Sequence, residues 1–275
     1  MICRLFRLVT LFGSLLLCGF SNPTSVTFKS AAPDLTTGKH LSIRGLLSKP
    51  GGAGPFPAIV ILHTCGGVRQ NLSLIWPKFL VEQGYVSLTV DSFGSRGVGN
   101  CPNEFTRTTT DKPLRPYKAI AADAHGALAY LRKLPIVKSK DVAVAGFSLG
   151  GIVIHMAILP AYAKSKPSLG FKAAISLYGN CAVRVPMEKL PDAPLPFMAI
   201  IGEKDKRILG NCQKYLPRGP NTKLHVLPGA YHAFDISFFR TMQHGFRGAP
   251  MLYNEKAAQT ARKLVAEFLR EHISK

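Results

Sequence analysis

The pentapeptide Gly146-Phe147-Ser148-Leu149-Gly150 constrains the fold of this chain more than any other feature of its sequence. An apolar run at residues 142–145 precedes it and predicts a buried strand, and residues 149–159 predict a buried helix. A strand that enters a helix through glycine-x-serine-x-glycine turns so sharply that the serine hydroxyl stands above the sheet. The pattern therefore predicts a nucleophile at Ser148.

Strand-like and helix-like segments alternate along the rest of the chain. The predicted strands cover residues 26–29, 40–48, 58–62, 85–90, 142–145, 173–177, 197–201 and 224–227, and the predicted helices cover 72–83, 117–134, 149–159 and 256–273. This alternation predicts an α/β fold with a mostly parallel central sheet, helices on both faces and no large cap domain. Residues 92–116, rich in Gly, Pro, Thr and Arg, are predicted to form a long loop that is at most a small lid.

The first 21 residues differ in composition from the rest of the chain. Arg4 and Arg7 precede an apolar run over residues 8–17 and then small residues, which is the pattern of a secretory signal peptide. Because the run is short for a membrane span, we expect an exported protein, periplasmic or secreted, without stable membrane insertion. Its folded domain would cover residues 22–275. An uncleaved leader that anchors the chain to the membrane is the alternative.

Composition limits the classes of partner. Hydrophobic residues make up 47% of the chain and charged residues 18%, which suits a buried core and excludes a disordered chain. The formal net charge of +20 would attract anionic substrates or envelope lipids. The basic residues are scattered and no nucleic-acid motif is present, so specific nucleic-acid binding is not expected. A monomer or weak dimer that acts on a small molecule is the favoured state.

A serine hydroxyl needs a base, and the base needs an orienting acid. His232 follows the predicted strand 224–227, and Asp205 follows the predicted strand 197–201. Both loops open at carboxyl ends of strands, where sites form in open α/β sheets. Glu203, nearer the strand end, remains the alternative acid.

The other acidic and histidine side chains are weaker candidates. Asp235 is too close in sequence to His232 to orient it, and His125 lies within a predicted helix. His63 ends an apolar strand and is expected to shape the site rather than act as the base. Three further histidines do not lie where the base is expected, namely His225, His244 and His272.

The oxyanion of an acyl-transfer intermediate needs two N–H donors. One is predicted to be the amide of Leu149, which follows the nucleophile. The other should come from the loop after the strand that ends at His63, and the Cys65 amide is the candidate.

These segments together resemble the dienelactone hydrolase family of the α/β-hydrolase fold, over most of the chain after about residue 40. The motifs that carry the resemblance are Leu62-His63-Thr64-Cys65-Gly66-Gly67, Asp91-Ser92-Phe93-Gly94-Ser95-Arg96-Gly97, Gly146-Phe147-Ser148-Leu149-Gly150-Gly151, Gly202-Glu203-Lys204-Asp205 and Tyr231-His232-Ala233-Phe234. Archetypal members have a cysteine nucleophile where this chain has Ser148, and a glutamate where it has Thr64. A serine–histidine pair needs no glutamate to manage a thiol, so the two departures belong together. General ester hydrolysis is therefore favoured over the reaction in the family's name.

The resemblance also implies binding residues. Arg96 matches a family arginine that binds the substrate carboxylate, and a structural arginine bonded to loop carbonyls is the alternative. His63, Phe93 and Tyr178 are further candidates for contact with the substrate.

Four cysteines lie beyond the leader, and an even number in an exported chain permits two disulfides. Sequence alone does not choose among the three pairings. Cys181 follows one predicted strand and Cys212 lies beyond the next, while Cys65 and Cys101 lie on loops above the sheet. These placements favour Cys181–Cys212 and Cys65–Cys101.

The sequence thus predicts a serine hydrolase that cleaves carboxylic esters or lactones through an acyl-enzyme, with no metal or organic cofactor. Two alternatives remain at this point. One is a peptidase or acyltransferase on the same fold, and the other is a non-catalytic, basic envelope-binding protein with a vestigial site.

Overall fold

In the computed structural model, apolar runs of the sequence form the strands of one sheet. The structure describes residues 22–34, 38–101, 115–159, 170–182, 195–216, 219–245 and 248–273. The strands of this sheet are β1 (Thr24–Lys29), β2 (Ser42–Ser48), β3 (Phe56–Leu62), β4 (Val86–Asp91), β5 (Val137–Phe147), β6 (Ala174–Leu177), β7 (Phe197–Gly202) and β8 (Thr222–Leu227). Their spatial order is β1-β2-β4-β3-β5-β6-β7-β8. β1, β2 and β4 pair antiparallel, and all pairings from β4 to β8 are parallel. The predicted signal peptide and residues 102–114 of the predicted loop lie outside the described residues.

Helices cover both faces of the sheet, which confirms the predicted fold class. They are α1 (Trp76–Glu82), preceded by a π-helical turn (Asn71–Ile75), then α2 (Arg115–Leu131), α3 (Leu149–Ala157), α4 (Lys206–Tyr215) and α5 (Glu255–His272). On β3, Val60 and Leu62 belong to the core under α2 and α3. Ile59 and Ile61 point to the other core, under α1 and α5. This alternation explains why β3 reads as a continuous apolar run. Among the described residues, no helix is long and apolar enough to cross a membrane.

Two elements were not predicted from the sequence. α4 buries only Ile208 and Cys212, so its apolar periodicity is weak although it is ten residues long. A two-residue pairing of β9 (Gln243–His244) with β10 (Pro250–Met251) is too short to leave a strand pattern. β5 also begins five residues earlier than predicted, because its first half is polar and partly exposed.

The parallel register brings the carboxyl ends of the central strands to one edge of the sheet. Leu62 lies opposite Gly146, and Leu177 lies between Phe147 and Ile200. The chain therefore leaves β3, β5, β6 and β7 at neighbouring points, and the loops that follow these strands are in contact. This edge is where a site is expected in an open α/β sheet.

His155 is a fully buried histidine of α3, and its ring packs against Phe197 at 5.1 Å between centroids. Burial lowers the pKa of His155 from 6.5 to about 4. The unfolded chain therefore binds a proton as the pH falls through 6.5, whereas the folded protein does not until about pH 4. We expect the free energy of unfolding to decrease by about 2 kcal/mol between pH 7 and pH 5 on account of this group.

Urea unfolding at the two pH values measures this prediction. The His155→Leu variant should lose about 2 kcal/mol less than the wild type over the same interval. The same replacement at the exposed His244 is the control and should leave the wild-type difference intact. An unchanged pH dependence in His155→Leu would contradict the assignment.

Candidate active site

Ser148 occupies a strained turn between β5 and α3. Its backbone has φ 51° and ψ −105°, and its N–H donates to the Leu177 carbonyl at 2.9 Å. A positive φ at a non-glycine residue costs about 1–3 kcal/mol and persists only where the surroundings enforce it. The two flanking glycines are required because the neighbouring backbone leaves no room for a side chain. A Cβ at Gly146 would collide with the Gly150 carbonyl, and one at Gly150 would collide with the Leu62 carbonyl.

The three predicted triad side chains form one hydrogen-bonded chain. Ser148 Oγ lies 2.9 Å from His232 Nε2, and His232 Nδ1 lies 2.6 Å from Asp205 Oδ2. With the Nδ1 proton directed at the carboxylate, Nε2 presents its lone pair to the serine hydroxyl. Asp205 and His232 follow β7 and β8, and both side chains are largely shielded from solvent.

Glu203, the alternative acid, does not contact the histidine. Its Oε2 accepts a hydrogen bond from the Gly229 amide at 2.8 Å, which ties the loop after β7 to the loop after β8. The geometry therefore favours Asp205 over Glu203 as the partner of His232.

A buried polar cluster under His232 was not recognised from the sequence. The ring of Tyr178 meets the imidazole edge-on, with 5.0 Å between centroids, and its hydroxyl donates to Asp235 Oδ1 at 2.7 Å. Asp235 Oδ2 accepts from Trp76 Nε1 at 2.7 Å and from Asn71 Nδ2 at 3.1 Å. Burial and the adjacent Asp235 carboxylate raise the pKa of Tyr178 well above its ordinary value.

This cluster corrects the expected role of Tyr178. The side chain is fully buried, so it supports the imidazole from below instead of lining an open pocket. Asp235 was not expected to orient His232, and its carboxylate instead anchors the loop that carries His232. A signal for this cluster was present in the sequence, namely an aspartate inside the apolar segment Ala233-Phe234-Asp235-Ile236. A buried aspartate needs hydrogen-bond donors, so such a segment indicates a buried polar cluster.

The two predicted oxyanion donors lie on adjoining segments. Leu149 is the first residue of α3, where an N–H group has no partner within the helix. The Gly150 amide donates to the His63 carbonyl at 3.0 Å, which fixes the loop after β3 against the start of α3. Within the described residues, the Cys65 N–H meets no hydrogen-bond acceptor and is available to a ligand.

Arg96 is paired with carboxylates of the protein itself. Its Nη1 and Nη2 donate to the two oxygens of buried Asp123 at 2.7 and 3.2 Å, and Nη1 also donates to the Ser92 carbonyl at 2.9 Å. Asp34 lies 3.8 Å from its Nε. The guanidinium thus holds the loop after β4 on α2, and these contacts favour the structural alternative for Arg96. Asp123 was missed because its partner is distant in sequence.

His63 and Phe93 are buried and pack against each other, with 4.5 Å between ring centroids. His63 Nδ1 lies 2.7 Å from the Thr64 carbonyl oxygen, and burial lowers the pKa of the imidazole. A neutral ring that must donate to this carbonyl carries its proton on Nδ1. His63 is therefore held to its own loop through Nδ1, and Phe93 packs against it from within the core. Contact of these two side chains with the substrate stays a prediction.

Both favoured disulfide pairings are present. Cys65–Cys101 and Cys181–Cys212 each have 4.8 Å between Cα atoms. The first is partly exposed, whereas both cysteines of the second are fully buried. Over the part of the chain that the structure describes, no group of three or more potential ligands could hold a metal ion.

Comparisons with known proteins agree with this fold. The sheet order and the serine turn between β5 and α3 define an α/β-hydrolase. The model of the "Dienelactone hydrolase family" matches residues 43–273, and the chain therefore belongs to the dienelactone hydrolase family. This membership confirms the resemblance seen in the sequence and places the chain among hydrolases.

Individual relatives are distant. A Synechocystis protein that carries the provisional name carboxymethylenebutenolidase is 24% identical over 145 residues, which cover 51% of this chain and 55% of the relative, so the match spans about half of that protein. The dienelactone hydrolase of Anabaena variabilis superposes with a TM-score of 0.62 at 17% identity, over 92% of this chain and all of that one. The dienelactone hydrolase-like promiscuous phosphotriesterase P91 from metagenomic libraries gives 0.64 at 16% identity, with the same coverage. These structures share the fold.

Proposed function

We propose that this protein is a serine hydrolase that cleaves carboxylic esters or lactones through an acyl-enzyme. One observation carries the proposal, namely the continuous hydrogen-bonded chain from Asp205 through His232 to Ser148, with separations of 2.6 and 2.9 Å. This geometry gives the serine a base, and gives the base an orienting acid.

The first half-reaction follows from the geometry. Ser148 Oγ attacks the ester carbonyl while His232 Nε2 takes its proton, and Asp205 stabilises the resulting imidazolium. The amides of Leu149 and Cys65 receive the oxyanion of the tetrahedral intermediate. When the intermediate collapses, the bond to the leaving oxygen breaks, and His232 returns the proton to that oxygen.

The second half-reaction uses the same groups on water. His232 removes a proton from a water molecule that attacks the acyl carbon, and the proton then passes to Ser148 Oγ as the acid leaves. Each step needs only a proton acceptor, a proton donor and two N–H groups, all of which this chain supplies.

The acyl portion of the substrate is proposed to need no negative charge. Arg96, the residue expected to hold a substrate carboxylate, is neutralised by Asp123 and fixed by the Ser92 carbonyl. An anionic group of a substrate would have to compete with Asp123 for a guanidinium that is only partly exposed. Neutral short esters and lactones are therefore the proposed substrate class.

Export is part of the same proposal. We infer that residues 1–21 are a signal peptide and that residues 22–275 form the hydrolase domain. The two disulfides support this, because such bonds form and persist in oxidising compartments.

A fluorophosphonate probe tests the proposal directly. The oxidised protein should be labelled once, and peptide mass spectrometry should place the adduct on Ser148. A neutral p-nitrophenyl ester or lactone should compete with labelling and be turned over faster than the matched amide. Faster cleavage of the amide would favour the peptidase alternative. Folded protein that takes no label would contradict the proposal and favour the envelope-binding alternative.

A further inference from the structure

We propose that Cys101 is a positioning residue that holds the Cys65 amide in the oxyanion hole. The Cys65–Cys101 disulfide would then raise kcat as well as the stability of the protein. The inference rests on the proposed function, because it assigns a support to one of its two oxyanion donors. Cys101 itself touches neither substrate nor the reacting atoms.

The direction of the Cys65 N–H is fixed through its own peptide plane. In a trans peptide the C=O and the following N–H point in opposite directions. The Thr64 carbonyl, in the same plane, accepts from the Gly67 amide at 3.1 Å and from His63 Nδ1 at 2.7 Å. The Cys65 N–H is therefore turned away from these donors and out of the loop.

The contacts that hold Thr64 are local to the loop. The loop is joined to α3 through the His63 carbonyl, which accepts from the Gly150 amide at 3.0 Å, and to the loop after β4 through Cys101. Cys101 is bonded to Cys65 twice, through the disulfide and through its own amide, which donates to the Cys65 carbonyl at 2.8 Å. Together these two links fix both the side chain and the carbonyl of Cys65. In the described part of the chain, no other residue outside the loop hydrogen-bonds to Cys65.

Cys101 follows a segment that is held to the protein at two points. The segment before it is closed by the Val98 amide, which donates to the Phe93 carbonyl at 2.9 Å. Arg96 in this segment is clamped to Asp123 of α2 by two hydrogen bonds. The partly buried ion pair thus holds the loop after β4 on α2, and the disulfide links Cys65 to that loop.

The second disulfide provides a matched control. Cys65 and Cys101 are 36 positions apart, and Cys181 and Cys212 are 31 apart, so the chain-entropy model gives both bonds similar effects on stability. Cys181–Cys212 joins the loop after β6 to α4 and touches no oxyanion donor. If both bonds act only through stability, loss of either bond should change kcat to the same extent. If Cys101 positions the Cys65 amide, loss of Cys65–Cys101 should lower kcat more than loss of Cys181–Cys212.

The experiment compares Cys65→Ala/Cys101→Ala with Cys181→Ala/Cys212→Ala, each measured as kcat per fluorophosphonate-titrated site. Both variants keep every backbone N–H. We expect kcat of the first to fall by about tenfold to 100-fold with KM changed by less than about threefold, which is less than the loss of a whole donor. The control should keep kcat within about twofold, and Tm should fall in both. A kcat for the first variant within twofold of wild type, or an equal fall in the two variants, would overturn the inference.

Reduction of the wild-type protein provides a second route if a variant does not fold. A dithiol reductant gives two electrons and two protons to the Cys65–Cys101 bond, which yields two thiols and the oxidised cyclic reductant. The partly exposed bond should open before the buried one. kcat should fall at that stage and return on reoxidation. Full activity after loss of Cys65–Cys101 alone would also overturn the inference.

These outcomes separate the two proposals. If the oxidised wild type shows no Ser148-dependent hydrolysis, the proposed function fails and the inference fails with it. If hydrolysis depends on Ser148 and both double variants keep kcat, only the role of Cys101 fails.

Discussion

Replacing Ser148 by alanine is expected to lower kcat for a p-nitrophenyl ester by about 10⁴-fold or more, because the attacking atom is removed and His232 has no hydroxyl to activate. The two N–H donors and the binding surface remain, so a residual rate above that of water is expected. Alanine meets the same backbone strain as serine at φ 51°, and the variant should fold.

The control for this result is thermal unfolding, in which Ser148→Ala should stay within a few degrees of the wild type. Protein from a host that lacks other esterases is needed, because a trace of wild-type enzyme would mask a loss of this size. A variant that keeps most of its activity would show that the hydrolysis does not pass through Ser148.

Replacing Asp205 by asparagine is expected to lower kcat by about 10⁴-fold while leaving KM within a few-fold. The asparagine amide can donate to His232 Nδ1, which moves the ring proton to Nε2 and directs it at Ser148 Oγ. The histidine then cannot accept the serine proton, although every heavy atom keeps its place.

Glu203→Gln is the matched control, since this carboxylate lies two positions away on the same loop. Its contact is with the Gly229 amide and not with the imidazole, so kcat should stay within about threefold of the wild type. If Glu203→Gln lost the activity and Asp205→Asn kept it, the assignment of the acid would be reversed.

Local sequence was sufficient for much of the fold and for the loops that carry the proposed triad. The turn at Ser148, the strands that end near Leu62 and Leu227, and the loops that carry Asp205 and His232 all have signals within a few residues. The edge at which these loops lie followed from the alternation of strands and helices, since parallel strands place their carboxyl ends at one edge.

The protein partners of Arg96 and Tyr178 could not be predicted, because they are distant from these residues in sequence. Arg96 has the same local sequence whether it binds a substrate or a protein carboxylate, and only the position of Asp123 on α2 decides between them. Tyr178 follows a strand that ends at the site, and only the path of the loop after His232 places it below the imidazole. α4 was missed because Ile208 and Cys212 alone do not establish a helical period.

The register of the central strands has a consequence for how the chain acquires activity. Ser148 and His232 are 84 positions apart, and the sheet that brings their hydroxyl and imidazole together contains β5, β6, β7 and β8 as neighbours. Such non-local pairing forms late in folding, whereas single helices form early. During refolding, we therefore expect esterase activity to recover when the parallel sheet is complete. The circular dichroism signal of the helices should recover earlier.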